Sequence, residues 1–242
     1  YKTNESHQFG LNYGKRISRP NYSFLNPFKF YYTDYSFYTG NPNLQPSISP
    51  NIEFQYTLKN KYNFDIYYNF QNNYITEINF QDNSNNELRY SFVNIPKNSS
   101  LGMSMNVNFN LSKRWSLYTQ HYLYDSKSVF TALENNNQLV ENSLLGYYGY
   151  VSTSYTFLKD ESFIVELSAY IVTDGIQGSM RVEGSHDLSI GLSKKMLKKR
   201  ATLTLQVSDI LKSQIVKVST NYLNQNNYFI DNQETQYIRL GF

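Results

Sequence analysis

Residues 103–112 have the sequence MSMNVNFNLS, in which apolar and polar residues alternate without an error. Successive side chains of a β-strand point to opposite faces, so this period of two predicts a strand with one apolar face and one wet face. The short polar stretch SKR (112–114) follows, and a second run begins at Trp115. The pattern indicates two antiparallel strands that are joined by a tight turn.

The same alternation recurs in four other segments of the chain. They are NIEFQYTLKN (51–60), KYNFDIYYNF (61–70), FIVELSAYI (163–171) and ATLTLQVS (201–208). Helical spacing, with apolar residues at i, i+3, i+4 and i+7, is almost missing. The connections alternate between short charged turns and mostly longer, Asn-rich loops. An antiparallel meander produces this alternation when one end of its sheet carries tight turns and the other end carries loops.

The composition agrees with strands that have one wet face. The chain has 24 Tyr and 16 Phe beside one Trp, and its mean hydropathy is polar at −0.56. There is no cysteine, which excludes disulfides and Cys-ligated metal sites. The net charge of +3 is small, and no stripe of Lys and Arg lies along one predicted face. We therefore expect no nucleic-acid partner.

These patterns predict an all-β fold, an antiparallel up-and-down transmembrane β-barrel with about ten strands in this chain. Several predicted strands exceed the roughly 9–11 residues that cross a bilayer at a tilt. A soluble β-sandwich or β-solenoid also has alternation and Asn-rich loops, but its strands usually stop near ~5–6 residues. The predicted strands lie near residues 5–18, 49–59, 61–81, 88–111, 114–132, 142–158, 162–176, 185–195, 200–219 and 229–242.

The stretch KRISRPNYSFLNPF (15–28) and the later stretch YTGNPNLQPSISPNIEFQYTL (38–58) form the most specific motif. They resemble the outer-membrane β-barrel part of TonB-dependent receptors, in which R-x-x-x-R-P-x-x-x-x-L-N-P is followed by G-N-P-x-L-x-P. Ser47 departs from the acidic residue that often follows the last proline, and VSDIL (207–211) has Asp209 where Asn is more usual. The matching positions are Arg16, Arg19, Pro20, Leu25, Asn26, Pro27, Gly40, Asn41, Pro42, Leu44 and Pro46.

The resemblance implies energised uptake of a bulky, scarce ligand, such as a metal chelate, an oligosaccharide or a peptide, across a Gram-negative outer membrane. It also implies that residues 1–242 are a single region, the last part of a barrel of about 22 strands. The implied partners are outer-membrane lipid, the barrel-assembly machinery, the protein's own plug domain and an energy-coupling protein. The alternatives are a non-transporting scaffold or adhesin barrel and a small barrel that closes by itself.

Two segments are candidate functional sites. The aromatic run between the two motif stretches would contact ligand outside the cell by stacking on its rings or sugars, although a hairpin that merely extends the barrel wall would give the same pattern. Its candidate residues are Tyr31, Tyr32, Tyr35, Phe37 and Tyr38. The last strand, with Ile238, Leu240 and Phe242 at alternating positions, resembles the signal by which outer-membrane barrels are recognised for assembly.

Catalytic patterns are poor in this sequence. His7, His121 and His186 lie in different segments without metal-ligand spacing, and G-x-S-x-G does not occur. We expect His121 to line a wet lumen, while an enzyme would require at least two of His121, Asp125, Ser116 and Ser128 to converge on one face. The prediction is a protein without enzymatic activity, without cofactor and without metal.

Overall fold

The computed structural model describes residues 6–242, which form two β-sheets and one helical turn. The elements in chain order are β1 (His7–Ser18), α1 (Tyr22–Leu25), β2 (Lys29–Thr33), β3 (Ser36–Thr39), β4 (Ser47–Leu58), β5 (Tyr62–Asp82), β6 (Glu87–Ser112), β7 (Trp115–Ala132), β8 (Gln138–Phe157), β9 (Phe163–Val172), β10 (Gly175–Gln177), β11 (Met180–Val182), β12 (Ser185–Met196), β13 (Ala201–Ser208), β14 (Val216–Tyr222), β15 (Gln225–Asp231) and β16 (Tyr237–Gly241).

The main sheet confirms the predicted antiparallel meander. Ten of its strands follow one another in the order β1-β4-β5-β6-β7-β8-β9-β12-β13-β16, and every pair on this path is antiparallel. The hairpin of β2 and β3 attaches to β6, and β10, β11, β14 and β15 form a separate four-stranded sheet. Among the described residues, β1 pairs only with β4 and β16 only with β13, so the sheet has two open edges.

The registers sort the side chains into an apolar face and a polar face. Ile66 on β5 pairs with Met103 on β6, and Met103 pairs with Leu123 on β7. The next row, on the opposite face, pairs Asp65 with Ser104. Because pairing partners point to the same side of a sheet, each strand adds one apolar row and one polar row. The alternation in residues 103–110 therefore corresponds to the two faces of the sheet, and a register shift between Asn110 and Ser112 follows it next to the turn.

The apolar face forms a belt that starts at the tight turns and has a limited height. On β6 it extends from Leu111 to Leu101, after which Ser99 and Lys97 occupy the same face. On β7 it ends after Leu123, where Asp125 follows. This height matches the roughly 9–11 residues that a tilted strand needs to cross hydrocarbon. No helix among residues 6–242 is long and apolar enough to span a membrane.

Above the belt the longest strands continue and form a small core of their own. β5 has 21 residues and β6 has 26. Near the loop end, Ile78, Phe80, Ile95 and Phe130 are buried together, and the Phe130 ring contacts Tyr222 edge-on at 4.9 Å between ring centroids. This core fastens the four-stranded sheet, through Tyr222, to the main sheet.

The two last predicted strands are wrong in their extent. The sequence predicts single strands at 200–219 and 229–242, whereas the chain leaves the main sheet after Ser208 and returns only at Tyr237. Asp209 has a positive φ of 47°, which turns the backbone out of the ladder. Residues 216–231 then form β14 and β15 of the second sheet. Between β9 and β12 the chain forms the β10–β11 hairpin.

We predict that Phe130→Ala loosens the loop end of the sheet. Phe130 is 1% exposed, and truncation of a buried Phe costs about 3–5 kcal/mol. Backbone amides of β5 near residues 74–80 should then exchange with deuterium faster in the detergent-solubilised protein. Leu145→Ala is the control, because Leu145 lies on the apolar face and is 68% exposed. Equal exchange in both variants would contradict this description of the core.

Candidate functional site

The loop end carries the surface with the most functional potential, and it begins with the β2–β3 hairpin. β3 runs parallel to β6, with Ser36 opposite Leu88 and Tyr38 opposite Tyr90. The Leu88 amide donates to the Tyr35 carbonyl at 2.8 Å, and the Phe24 ring stacks on Phe92 at 3.7 Å between centroids. The predicted aromatic run is therefore a hairpin that is fixed to β6, in the part of this strand that extends beyond the apolar belt.

The two stretches of the sequence motif hydrogen-bond directly to each other. The Gly40 amide donates to the Asn26 carbonyl at 2.8 Å, and the Asn41 amide donates to the Phe24 carbonyl at 2.6 Å. A Cβ on Gly40 would lie 2.4 Å from the Asn26 carbonyl oxygen and 2.6 Å from that of Phe24. Only glycine allows this approach of two backbones. The L-N-P and G-N-P stretches thus form one clamp at the base of the hairpin.

The second half of the motif attaches this clamp to β6. Asn41 donates through Nδ2 to the Phe92 carbonyl at 3.3 Å, and its Oδ1 accepts from the Asn43 amide at 3.0 Å. Asn94 exchanges two hydrogen bonds with the backbone of Gln45, both at 2.8 Å. Leu44 is buried at 6% exposure. These contacts leave the clamp little freedom to move relative to the sheet.

The other motif residues lie at the surface or stiffen the chain. Arg16 and Arg19 are exposed, and Pro20 is half-buried. Pro27, Pro42 and Pro46 are exposed and restrict φ on either side of the clamp. Asn26 accepts from the Phe28 amide through Oδ1 at 3.1 Å, which shapes the turn into β2.

The five candidate aromatic residues of the hairpin have different environments. Tyr31, Tyr32 and Tyr35 are 61%, 66% and 65% exposed. Phe37 is 3% exposed and lies under the Lys29 ammonium, whose Nζ is 4.1 Å from the ring centroid. Tyr38 donates its hydroxyl to the Ser23 carbonyl at 3.2 Å. Three tyrosines thus face outward, while Phe37 and Tyr38 support the hairpin.

A groove of about 840 Å³ separates the hairpin from the turns after β5 and β7. Lys29 and Arg89 line it, with the Arg89 guanidinium 4.7 Å from the Phe80 ring centroid. Asp82, Glu87 and Glu134 supply carboxylates. Side chains of Gln81, Asn83 and Asn224 add amides to the lining. A groove with amides and charges of both signs can bind a polar ligand through many hydrogen bonds.

Two of the groove carboxylates have defined partners. Hydrogen bonds from the Ser84 side chain, from Asn85 and from the Ser84 amide lower the pKa of Asp82 to about 2. Glu134 accepts from the Tyr222 hydroxyl through Oε1 at 2.7 Å, while its buried Oε2 has no hydrogen-bond partner among the described residues. Burial and the bond to Glu134 raise the pKa of Tyr222, so this phenol stays a donor.

The four-stranded sheet packs on the polar face of β5 through amides and hydroxyls. Asn79, 3% exposed, donates to Asn227 Oδ1 at 2.6 Å and accepts from Ser179 and Thr220 at 3.1 and 3.0 Å. Gln225 makes two hydrogen bonds to the Gln81 backbone, at 2.6 and 2.9 Å. The side chains of Asn79, Ser179, Thr220 and Gln225 thus all have partners, which makes the interface specific. Sequence reasoning missed it, because Asn79 looks like any residue on a wet strand face.

Below the four-stranded sheet, the polar face of the main sheet is rich in tyrosine. Tyr67 and Tyr122 stack at 5.7 Å with an interplanar angle of 8°, and Tyr122 contacts Tyr124 at 5.3 Å. A Cβ on Gly102 would clash with the Tyr67 ring, and one on Gly146 with the Tyr124 ring. The rings therefore lie flat over these glycines. A cavity of about 280 Å³ lies beside Tyr124 and reaches the four-stranded sheet.

Asp209 is a second residue whose role the sequence alone did not indicate. Its carboxylate is fully buried and accepts from the Ser213 amide at 2.9 Å and from the Thr235 hydroxyl at 2.5 Å. The Gln214 amide adds a bond at 3.3 Å. The side chain thus joins both ends of the excursion between β13 and β16. Its position in the VSDIL stretch was the only available signal.

The expected lumen position of His121 is wrong. Its register partners are Met105 and Gly149, and it shares the apolar face with Leu123. Its Nδ1 is 2.8 Å from the hydroxyl of Tyr147 on the same face. Asp125 is on this face too, whereas Ser116 and Ser128 point to the other side. His121 and Asp125 share a face but are four positions apart along one strand, roughly 13 Å at ~3.3 Å per residue, so the register does not bring them into contact.

The remaining predicted positions are placed as follows. Ile238 and Leu240 pair with Val207 and Leu205 and are 72% and 71% exposed on the apolar face, and Phe242 is 86% exposed. Within residues 6–242, no cluster of three or more His, Asp or Glu is arranged to hold a metal ion.

We predict that Gly40→Ala disrupts the clamp. The new methyl group would meet three backbone atoms within 2.7 Å, so the strand segments must separate and lose the two bonds between them. We expect trypsin to cleave after Lys29 at least about tenfold faster, which corresponds to a loss of ~1.4 kcal/mol or more. Gly14→Ala is the matched control, because no atom lies within 4 Å of its Cβ position. Equal cleavage of both variants would contradict the clamp.

A pH effect is expected at the loop that leads into the β10–β11 hairpin. The Gly184 amide, which donates to Asp174 Oδ1 at 2.7 Å, and the Arg181 guanidinium hold the pKa of Asp174 below its usual value. A carboxyl with a lowered folded-state pKa contributes its stability above the unfolded pKa, and loses it as the pH falls through the folded value.

We therefore expect the stabilising contribution of Asp174 to be complete above about pH 4 and to decline below it. Asp174→Asn should speed deuterium exchange at the Gly184 amide by roughly threefold to tenfold at pH 7, as expected for the loss of a charge-assisted bond. Asp231→Asn is the control, since the Asp231 carboxylate accepts only from the side chain of Gln233, at 2.6 Å, in the described residues. An unchanged rate at Gly184 would refute this role.

Comparison with known proteins connects this architecture to a family. The family described as "Outer membrane protein beta-barrel family" matches residues 1–242. No curated protein matches the sequence significantly. The match includes the ten-stranded meander, the clamp, the β2–β3 hairpin and the four-stranded sheet. A belt of apolar side chains on one face of the meander is typical of outer-membrane barrels. The chain belongs to the outer membrane protein beta-barrel family.

Proposed function

We propose that this protein is a TonB-dependent receptor of a Gram-negative outer membrane, and that this chain forms the carboxy-terminal part of its barrel wall. It would take up a bulky, scarce ligand such as a metal chelate, an oligosaccharide or a peptide. In this proposal the loop end faces the outside of the cell and the tight turns face the periplasm, which is the usual arrangement of outer-membrane barrels.

The clamp between Asn26 and Gly40 is the observation that supports the proposal most strongly. These residues belong to the motif that resembles the receptor family, and they hold the β2–β3 hairpin against β6. The clamp leaves Tyr31, Tyr32 and Tyr35 exposed on one rigid support. Pre-ordered aromatic rings bind with a smaller entropy cost than rings on a mobile loop.

The groove beside the hairpin is suited to a ligand with many polar groups. Lys29 and Arg89 can pair with carboxylates, while the Glu87 carboxylate can accept from a hydroxyl or an amine. Stacking on the exposed tyrosines would add contacts to a ring. Metal chelates, oligosaccharides and peptides all offer these groups.

The wall would serve transport through its two faces. Backbone groups are paired strand to strand, as hydrocarbon requires. The polar face, with its Asn, Ser and Tyr side chains, would hold a plug domain by hydrogen bonds, and an energy-coupling protein would act on that plug. Outer-membrane lipid would cover the apolar face, and Ile238, Leu240 and Phe242 would present the last strand to the barrel-assembly machinery.

Uptake by cells tests the proposal. Cells of the native host that carry or lack the gene are given labelled ferric chelates, oligosaccharides and oligopeptides, with the proton-motive force intact or collapsed. We expect uptake of one class, and loss of this uptake without the gene or without the proton-motive force. Binding without energised uptake would instead indicate a scaffold or adhesin, and no difference for any class would refute the receptor.

The hairpin is tested in the same assay. Replacement of Tyr31, Tyr32 and Tyr35 by Ser should raise the half-saturation concentration about tenfold or more, because each aromatic contact contributes roughly 0.5–1.5 kcal/mol. Tyr228→Ser is the control, since Tyr228 is also exposed, at 53%, but lies on the four-stranded sheet. An unaltered half-saturation concentration in the triple variant would exclude the hairpin from ligand capture.

A further inference from the structure

The tight-turn end of the sheet has charges of almost one sign. Its four turns, with the strand residues next to them, comprise residues 58–62, 112–115, 157–163 and 194–201. Two carboxylates, Asp160 and Glu161, lie in these segments. The cations in the same segments number ten and are Lys59, Lys61, Lys113, Arg114, Lys159, Lys194, Lys195, Lys198, Lys199 and Arg200. Nearly half of the 22 Lys and Arg residues of the chain are therefore at this end.

Aromatic residues of the apolar face adjoin these cations. Trp115 contacts Tyr155 at 6.3 Å between ring centroids, and Tyr155 contacts Phe157 at 4.5 Å. On the strands before them, Tyr62 contacts Phe109 at 5.9 Å. Aromatic girdles of membrane barrels lie at the level of the lipid headgroups. The cations of the turns, which come immediately after the girdle, are therefore at the level of the lipid phosphates.

Lys194 shows how one of these cations is oriented. Its register partners are Phe163 and Leu203, so its Cα belongs to a row of the apolar face. Its Nζ donates to Ser162 Oγ at 2.6 Å, in the turn between β8 and β9. The ammonium thus extends out of the belt toward the turns. Long cationic side chains at membrane interfaces adopt this arrangement to keep the charge near phosphates and water.

The turn between β12 and β13 combines charge with an exposed apolar side chain. Leu197, Lys198 and Lys199 all have positive φ, at 49°, 56° and 69°. Leu197 is 70% exposed, between Lys195 and Lys198 in sequence. A turn that only needed solubility would gain nothing from an exposed Leu here. A turn that enters a headgroup layer can bury the Leu while its cations meet phosphates.

We infer that the tight-turn end is a binding rim for anionic phospholipid headgroups, with the turn at residues 194–201 as its strongest element. The lipid phosphates bind the ring of cations, and Leu197 enters the adjoining interface. A soluble polyanion fits less well, because the cations border the aromatic girdle and the belt. This function concerns lipid selection by the wall and does not depend on transport.

The test uses the full protein reconstituted in phosphatidylcholine vesicles that contain spin-labelled phosphatidylglycerol or spin-labelled phosphatidylcholine. Electron paramagnetic resonance measures the fraction of each lipid that the protein immobilises. We expect a preference for phosphatidylglycerol that declines at high salt, since exposed charges are screened. Equal immobilisation of both lipids at low salt would overturn the inference.

Two double variants show which cations cause the preference for phosphatidylglycerol. Lys198→Gln with Lys199→Gln should lower it by roughly twofold to fivefold, the range expected when cations near an anionic surface are lost. Lys212→Gln with Lys217→Gln removes the same charge from the loop end and should leave it unchanged. Equal effects of the two pairs would indicate a general charge effect and would contradict a headgroup-binding rim at the tight-turn end. Heat-shifted electrophoretic mobility of each variant verifies folding.

Two further measurements keep the inference testable if the paired turn variant does not fold. Leu197→Ser keeps every cation and should weaken immobilisation at high salt, where the apolar contact contributes a larger share. Addition of inorganic phosphate to the wild-type protein, at constant ionic strength, should not displace phosphatidylglycerol. Displacement by phosphate would show a site for the free anion and would overturn the lipid assignment.

Discussion

Backbone hydrogen bonding between neighbouring strands is the constraint on which this structure depends. In hydrocarbon no water is available for an unpaired amide or carbonyl, so each strand must be paired along its whole length. That pairing fixes the register, and the register determines which side chains share a face. A shift of β6 by one residue relative to β5 would place Ser104 instead of Met103 beside Ile66 on the apolar side. Because apolar and polar residues alternate strictly in residues 103–112, only one of the two orientations of this strand places its apolar side chains on the apolar face.

Above the belt the same strands meet a different solvent, and their chemistry changes accordingly. β5 and β6 continue past Asn72 and Lys97 into a region where both faces can be covered by protein. In this extension Ile78 and Phe130 are buried in a small core that Tyr222 of the second sheet contacts, and Asn79 adds a polar contact with the same sheet. Polar contacts of this kind add specificity, because an amide in the wrong place would lose its partners.

The local pattern allowed much of the fold to be predicted from the sequence, since a period of two needs no knowledge of distant residues. The number of strands in the meander and the tight turns follow from it, and the predicted outer-membrane β-barrel agrees with the family match. Distant contacts could not be predicted in this way. Asn79 bonds to Ser179, Thr220 and Asn227, which are 100, 141 and 148 residues away. Nothing near Asn79 in the sequence distinguishes it from other asparagines on wet strand faces.

The two wrong predictions, the face on which His121 lies and the extent of the last two strands, also have specific causes. β7 has aromatic or apolar residues on both of its faces, such as Tyr122 beside Leu123, so alternation alone left the side of His121 open. The register with Met105 decides it. After Asp209 the alternation resumes within a few residues, so the sequence pattern did not indicate that the chain leaves the main sheet there. The side chain that stabilises this break binds Thr235, 26 residues further on.

The two ends of the sheet have opposite characters, and each follows from the length of its connections. The tight turns have no room for a core, so their side chains point into the surroundings, and their cations and girdle aromatics are those that a headgroup layer would select. The loops are long enough to build a hairpin, a clamp and a second sheet, whose surfaces are amides, tyrosines and charges of both signs. A surface of this composition can recognise a soluble ligand by shape and hydrogen bonds. Connection length therefore determines which end can build a structured surface of its own and which end presents only single turns.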